Sequence, residues 1–160
     1  MTATAAQVHA SLLSNGATVA VAESLTGGLL CAALTSTPGS SATMRGGLVV
    51  YATDLKSTLA GVDHTLLARR GAVHPDVARE LAEGASERLV ATLGVGVTGV
   101  AGPDAQDGVA VGTVFAAVIG TRVSLVEQWQ FEGDRDAIRR ATVQACLELL
   151  AAGIDAEFAG

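Results

Sequence analysis

The chain has 160 residues, a formal charge of −6 and a pI near 4.9. That acidity, with no cluster of Lys or Arg, excludes DNA or RNA as the main partner, since a phosphate polymer would meet a repulsive field. Apolar residues at 49% against 16% charged exclude intrinsic disorder, and the length suits a single domain, residues 1–160, with a core that needs no disulfide or metal staple.

The N-terminal segment 3–14 is Ala-rich with Ala5, Val8 and Leu12 at helical spacing, and Asn15-Gly16 supplies a stop. Ala17 to Ala22 reads as a short buried strand. Glu23-Ser24-Leu25-Thr26-Gly27-Gly28 turns the chain, and Leu29 to Thr37 resumes as a helix. Residues 24–44 carry no charge over 21 positions, yet Pro38, the glycines and the many hydroxyls mark a helix and a loop rather than a membrane span. Gly47 to Tyr51 is a second buried strand.

Thr53 is placed to cap a short helix that carries Lys56 and ends near Gly61. His64 to Arg70 forms another. Pro75 opens a long amphipathic helix to about Ala91, with Val77, Leu81, Ala85 and Leu89 on one stripe. Leu93 to Thr98 is a third strand, and 99–110 is a Gly/Asp-rich loop. Val111 to Ile119 and Val123 to Phe131 pair around Gly120-Thr121. A final helix runs from about Asp134 to Ala152, with Ile138, Val143, Cys146, Leu149 and Leu150 inward. Strands that are apolar nearly throughout, mixed with helices, point to an α/β sheet covered on both faces. The 30 Ala and 19 Gly would let those helices sit close to the sheet.

Three polar loops each follow a predicted strand, where ligands collect in α/β sheets. The first, Glu23 to Gly28, sets hydroxyls and paired glycines before a helix, where an anion can meet free N–H groups; it also reads as an ordinary turn capped by Thr26. The second runs from Gly39-Ser40-Ser41 through Tyr51 to Lys56. Tyr51 and Lys56 are the only tyrosine and the only lysine, against nine arginines. Arginine cannot give up its proton in a protein, whereas a lysine buried among Val49, Val50, Leu55 and Leu59 can. A neutral amine beside a serine is a way to make a nucleophile, and Ser24, Ser40 and Ser41 are the candidates. The bland alternative is a solvated lysine. The third loop, Gly99 to Asp104 and on to Gly112-Thr113, would wrap a ligand with its backbone, and Arg135 could clamp a phosphate.

The histidines make no catalytic set: His9 and His64 fall on helix surfaces, and His74 precedes Pro75 in a capping position. A Ser–His–Asp hydrolase is therefore disfavoured. Cys31 and Cys146 are 115 positions apart with no metal-ligand spacing, so structural zinc is not expected and a reducing compartment is. With no basic segment before the first apolar stretch, a cytoplasmic protein is expected.

Taken in order, seven segments resemble the C-terminal domain of the competence/damage-inducible CinA proteins. They are Ala22-Glu23-Ser24-Leu25-Thr26-Gly27-Gly28, Pro38-Gly39-Ser40-Ser41, Gly47 to Tyr51 with Lys56 and Gly61, Gly71-Ala72-Val73, Thr98 to Asp104, Val111-Gly112-Thr113, and Gly133-Asp134-Arg135. The resemblance covers about residues 5–150 and is to the stand-alone form, the nicotinamide-nucleotide amidases. It implies a three-layer α/β/α sandwich with a mixed, mostly parallel sheet, and hydrolysis of nicotinamide mononucleotide to nicotinic acid mononucleotide and ammonia. It implies Ser41 as nucleophile, Lys56 as base and Tyr51 as an orienting or relaying group. Substrate would be bound by Ser24, Thr26, Gly27, Ser40, Thr98, Gly99, Ala101, Gly102 and Arg135.

No cofactor or metal is expected, the partner is a small nucleotide, and a homodimer is favoured. Leu25 stands where the family often has Cys, Ala52-Thr53-Asp54-Leu55 departs from its usual Ser-Asn-Glu-Ala, and Val109-Ala110 stands in place of a Lys-Pro. The rival function is a non-catalytic nucleotide-binding or regulatory module of a competence or DNA-damage response.

Overall fold

The computed structural model describes residues 2–160. In chain order the elements are α1 (Ala5–Ser14), β1 (Val19–Glu23), α2 (Leu29–Thr35), a 3₁₀ turn (Ser40–Ala42), β2 (Met44–Val49), α3 (Thr53–Thr58), α4 (His64–Arg70), α5 (Pro75–Leu89), β3 (Leu93–Gly99), β4 (Thr113–Ile119), β5 (Ser124–Gln130) and α6 (Arg135–Glu157). The strands form one sheet in the order β2-β1-β3-β4-β5. β2, β1 and β3 are parallel, and β4 is antiparallel to both of its neighbours. Four of the five strands therefore run the same way, in an α/β fold with an open mixed sheet.

Strand alternation assigns the two faces. Val19 and Val21 of β1, Leu93, Val95 and Val97 of β3, and Val114, Ala116 and Val118 of β4 pack under α1, α2 and α6. Ala20 and Ala22 of β1 face the other way, into a cluster with Val77, Leu81 and Ala85 of α5. Branched residues thus fill one side and small residues the other. On the small side α5 presses on β3: a Cβ at Gly96 would lie 2.7 Å from the Leu81 Cβ and 2.5 Å from the Ala82 nitrogen. Ala78 and Ala82 meet Ala117 of β4 on the same side. The abundance of Ala and Gly is, at this contact, what brings α5 against the sheet.

Helix ends follow local chemistry. Thr4 caps α1 in a capping box with Gln7, and His74 caps α5 by accepting from the Asp76 N–H at 3.1 Å, with Pro75 in the first turn. Several expected boundaries shift: β2 is half-exposed and ends at Val49 rather than Tyr51, β4 begins at Thr113 rather than Val111, and α3 is entered from Ala52 rather than capped by Thr53. β2 starts at Met44 rather than Gly47, paired with Val19. The cap of α2 is Gly28 at φ +102°, not Thr26. α6 continues past Ala152 to Glu157, because the Glu157 carboxylate accepts N–H bonds from Thr121, Arg122 and Val123 and ties the helix end to the β4–β5 turn. Among the described residues no helix is long and apolar enough to cross a membrane. Cys31 and Cys146 are free thiols, and burial raises the pKa of both.

Candidate active site

Because β1, β2 and β3 are parallel, the turns after Glu23, Val49 and Gly99 emerge at one edge of the sheet. From β1 the chain crosses by α2 to β2 on one side, and from β2 it returns by α3, α4 and α5 to β3 on the other. The crevice between β1 and β3 is thus a topological switch point. A cavity of about 440 Å³ opens there, lined by residues 24–25, 51–53, 72–73, 98–102, 104, 106 and 135.

Ser24 lines the cavity, and Lys56 lies buried behind it. Ser24 is the first residue beyond β1 and is largely buried. Lys56 comes from α3, and at 1% exposure it is among the largest fully buried side chains of the chain. Its Nζ donates to Ser24 Oγ at 2.9 Å, to the Val50 carbonyl at 2.9 Å and to the Tyr51 carbonyl at 3.3 Å. A protonated amine has three N–H donors, and three acceptors are present. All three are uncharged, and no carboxylate lies within salt-bridge range among the described residues. Burial without a counter-charge lowers the pKa of Lys56 from its usual 10.5 to about 8.

The turn that presents Ser24 is held from three sides. Gly27 and Gly28 adopt left-handed backbone, which turns the chain from β1 into α2. The fully buried Glu23 accepts N–H bonds from Gly28 at 3.3 Å, Leu30 at 2.9 Å and Cys31 at 3.0 Å, so its carboxylate caps α2 from the strand. Arg139 of α6 donates to the Leu25 carbonyl at 2.9 Å and the Thr26 carbonyl at 3.3 Å. Among the described residues, the N–H groups of Leu25 and Thr26 make no hydrogen bond to the protein.

At the rim, Arg135 donates to the Tyr51 hydroxyl at 2.9 Å and to the Gly102 carbonyl at 2.6 Å, joining the β2 and β3 loops. It sits in the first turn of α6, the end where a cation is disfavoured by the helix dipole. Helix stability alone does not explain an arginine there.

The structure brings together Ser24, Tyr51, Lys56, Thr98, Gly99, Ala101, Gly102 and Arg135. Thr98 is oriented by donating to the Ala72 carbonyl at 2.7 Å. Ser40 and Ser41 are corrected: they do not reach Lys56. They lie in the 3₁₀ turn before β2, whose first residue pairs with the first residue of β1, whereas Ser24 follows β1's last residue. The length of β1 separates them, about 17 Å at strand rise. Ser40 Oγ instead donates to the Thr35 carbonyl.

Tyr51 meets Lys56 through its carbonyl, not its hydroxyl, so a phenolic relay to the amine is not formed. Thr26 and Gly27 do not line the cavity. Thr26 is fully buried with its hydroxyl unpartnered among the described residues, and Gly27 is exposed on the outer side of the turn. Sequence reasoning did not assign roles to Glu23 or Arg139. A carboxylate ending an apolar strand just before a Gly-Gly helix start was the available signal for Glu23, and none marked Arg139.

Comparison with known proteins gives a consistent family. The CinA C-terminal domain model matches residues 1–154. A CinA-like protein of Frankia casuarinae is 45% identical over 139 residues, covering 87% of this chain and 32% of that protein. One from Acidobacterium capsulatum is 47% identical over 136 residues, covering 84% and 33%. The chain thus spans about a third of the length of these curated relatives. Among solved structures, a CinA superfamily protein from Klebsiella pneumoniae superposes with a TM-score of 0.90 at 27% identity, covering 94% of each chain. The competence/damage inducible protein CihA from Agrobacterium tumefaciens does so with 0.89 at 37%, covering 92% of each. The chain belongs to the CinA C-terminal domain family.

Proposed function

We propose that the chain is an amidohydrolase that converts nicotinamide mononucleotide and water to nicotinic acid mononucleotide and ammonia, with Ser24 as nucleophile and Lys56 as general base. The observation that carries this reading is the 2.9 Å contact between the buried Lys56 Nζ and the Oγ of Ser24, which lines the cavity. A neutral Lys56 has two N–H groups and one lone pair. With the N–H groups on the Val50 and Tyr51 carbonyls, the lone pair faces the Ser24 hydroxyl and can accept its proton.

Ser24 Oγ then attacks the carboxamide carbon as its proton passes to Lys56. The free N–H of Leu25, the residue next to the nucleophile and part of the cavity lining, is the candidate to hold the oxyanion. Lys56 returns the proton to the departing nitrogen, which leaves as ammonia. A water molecule, deprotonated by the same amine, attacks the acyl–Ser24 ester and releases the carboxylate product. Tyr51 and Arg135 serve the ribose phosphate at the rim, and the backbone of 98–102 forms the opposite wall. Family membership supports this choice of substrate, which the CinA resemblance already implied.

The test is ammonia release from nicotinamide mononucleotide by the purified protein between pH 6 and 9. Stoichiometric ammonia and acid nucleotide are expected. Nucleotide binding with no ammonia at any pH would overturn the amidase in favour of a non-catalytic binding module.

A further inference from the structure

The register between the two central parallel strands pairs Glu23 of β1 with Val97 of β3. The next positions, Ser24 and Thr98, therefore lie side by side at the strand ends, one inter-strand spacing of about 4.8 Å apart. Alternation turns both side chains to the α5 side: Ser24 follows the parity of Ala20 and Ala22, and Thr98 that of Gly96, which α5 covers. Both residues line the cavity. Thr98 is 1% exposed, and its hydroxyl donates to the Ala72 carbonyl at 2.7 Å. A hydroxyl has one proton and two lone pairs. With the proton on Ala72 and no other bond to Oγ among the described residues, Thr98 offers a ligand beside Ser24 a lone pair and not a proton. Turning the proton into the cavity would take this bond from the carbonyl of a buried residue.

We propose that Thr98 is a specificity-determining residue that reads the N–H of the scissile carboxamide, so the site takes a primary amide over a carbonyl group of the same shape that has no N–H. The proposal rests on the amidase reading for the identity of the ligand, and it deepens that reading. The Leu25 N–H, free and in a residue lining the same cavity, has the opposite polarity and can only donate. A carboxamide has an oxygen that accepts and a nitrogen that donates. An acceptor and a donor next to one nucleophile match it in one orientation, oxygen to Leu25 and nitrogen to Thr98. The reverse orientation sets lone pair against lone pair and N–H against N–H. In the matched orientation the leaving nitrogen lies against an acceptor, and the carboxylate product, which has no N–H, loses that partner.

Nicotinamide mononucleotide and acetylpyridine mononucleotide share ring charge, carbonyl, ribose and phosphate, and differ in that a methyl replaces the amide NH₂. Their affinities are to be compared by calorimetry in the Ser24→Ala variant, where turnover would not consume the ligand, and again with Thr98→Val or Thr98→Ser added. The amide is expected to bind about tenfold more tightly than the ketone while Thr98 is present, the order of one hydrogen bond to a buried acceptor. After Thr98→Val the two should bind within about twofold, through weaker binding of the amide alone, and Thr98→Ser, which keeps the hydroxyl, should keep the preference. A urea midpoint checks that each variant folds, and Thr98→Ala reads the same loss if Val crowds the Ala72 carbonyl. Equal affinities with Thr98 present, binding of neither ligand, a preference that survives loss of the hydroxyl, or one that is lost in Thr98→Ser would overturn the proposal. Ammonia release by the unmodified protein is read separately: its absence, with the tenfold preference intact, would defeat the amidase reading and leave the amide recognition standing.

Discussion

Replacing Lys56 by Arg keeps the positive charge and takes away the base, because a guanidinium does not deprotonate in a protein. With a pKa of about 8 for the buried amine, the neutral fraction is roughly a tenth at pH 7, half at pH 8 and about nine tenths at pH 9. In the unmodified protein kcat/KM should therefore rise almost tenfold per pH unit below 7 and level off above 8. In Lys56→Arg the profile should be flat over this range, and activity should fall by about 10²–10⁴, the usual contribution of a general base.

Lysine burial also has a stability signature. Lowering the pKa from 10.5 to about 8 corresponds to roughly 3 kcal/mol of destabilisation while the amine is charged. Below pH 8 both the folded and unfolded chains hold the proton, and the folded chain bears that cost in full. Between pH 8 and 10.5 the folded chain has released it while the unfolded chain still binds it, so stability rises with pH. Lys56→Met removes the titrating group and should abolish this rise, and it guards against the chance that Arg does not fit the slot. Ammonia assays across pH 6–9 and urea titrations across pH 7–10.5 read the two effects. Retained turnover in Lys56→Arg, or the same pH-dependent stability in Lys56→Met, would refute the assignment.

Glu23→Gln should lower stability by about 2 kcal/mol and reduce kcat, since an amide NH₂ would face the N–H donors of α2 that the carboxylate now accepts. A urea midpoint read beside kcat and KM checks this, and an unchanged kcat would free the Ser24 turn from dependence on Glu23. Gly96→Ala should cost about 2–3 kcal/mol, because the new methyl meets the α5 backbone rather than a movable side chain. The readout is the urea midpoint at an unchanged m value; tolerance of the methyl would mean α5 can lift from the sheet.

The architecture was legible from the residues because β1, β3 and β4 are apolar nearly throughout and the elements are separated by punctuation such as Asn15-Gly16 and Pro75, whereas the half-exposed β2 and the mostly exposed, polar β5 gave weaker signals. The pair Tyr51 and Lys56 stood out because each is the sole residue of its type. The residues alone left Ser24, Ser40 and Ser41 open and the family resemblance favoured Ser41, although topology separates them. Ser24 follows a strand and Ser40-Ser41 precede one, so in a parallel pair they emerge at opposite edges, and only the edge after Val49 carries Lys56. Glu23 and Arg139 were illegible for different reasons. A buried carboxylate looks like any polar residue at a strand end until its three N–H donors are seen. Arg139 acts across 114 positions of chain on the Leu25 carbonyl, a contact with no local pattern.

Ammonia release from nicotinamide mononucleotide by Ser24→Ala and Ser41→Ala, side by side with the unmodified protein, tests the Ser24–Lys56 assignment most directly. The expected result is near-complete loss in Ser24→Ala and unchanged turnover in Ser41→Ala. Turnover that survives loss of the Ser24 hydroxyl, or that disappears with Ser41, would contradict it.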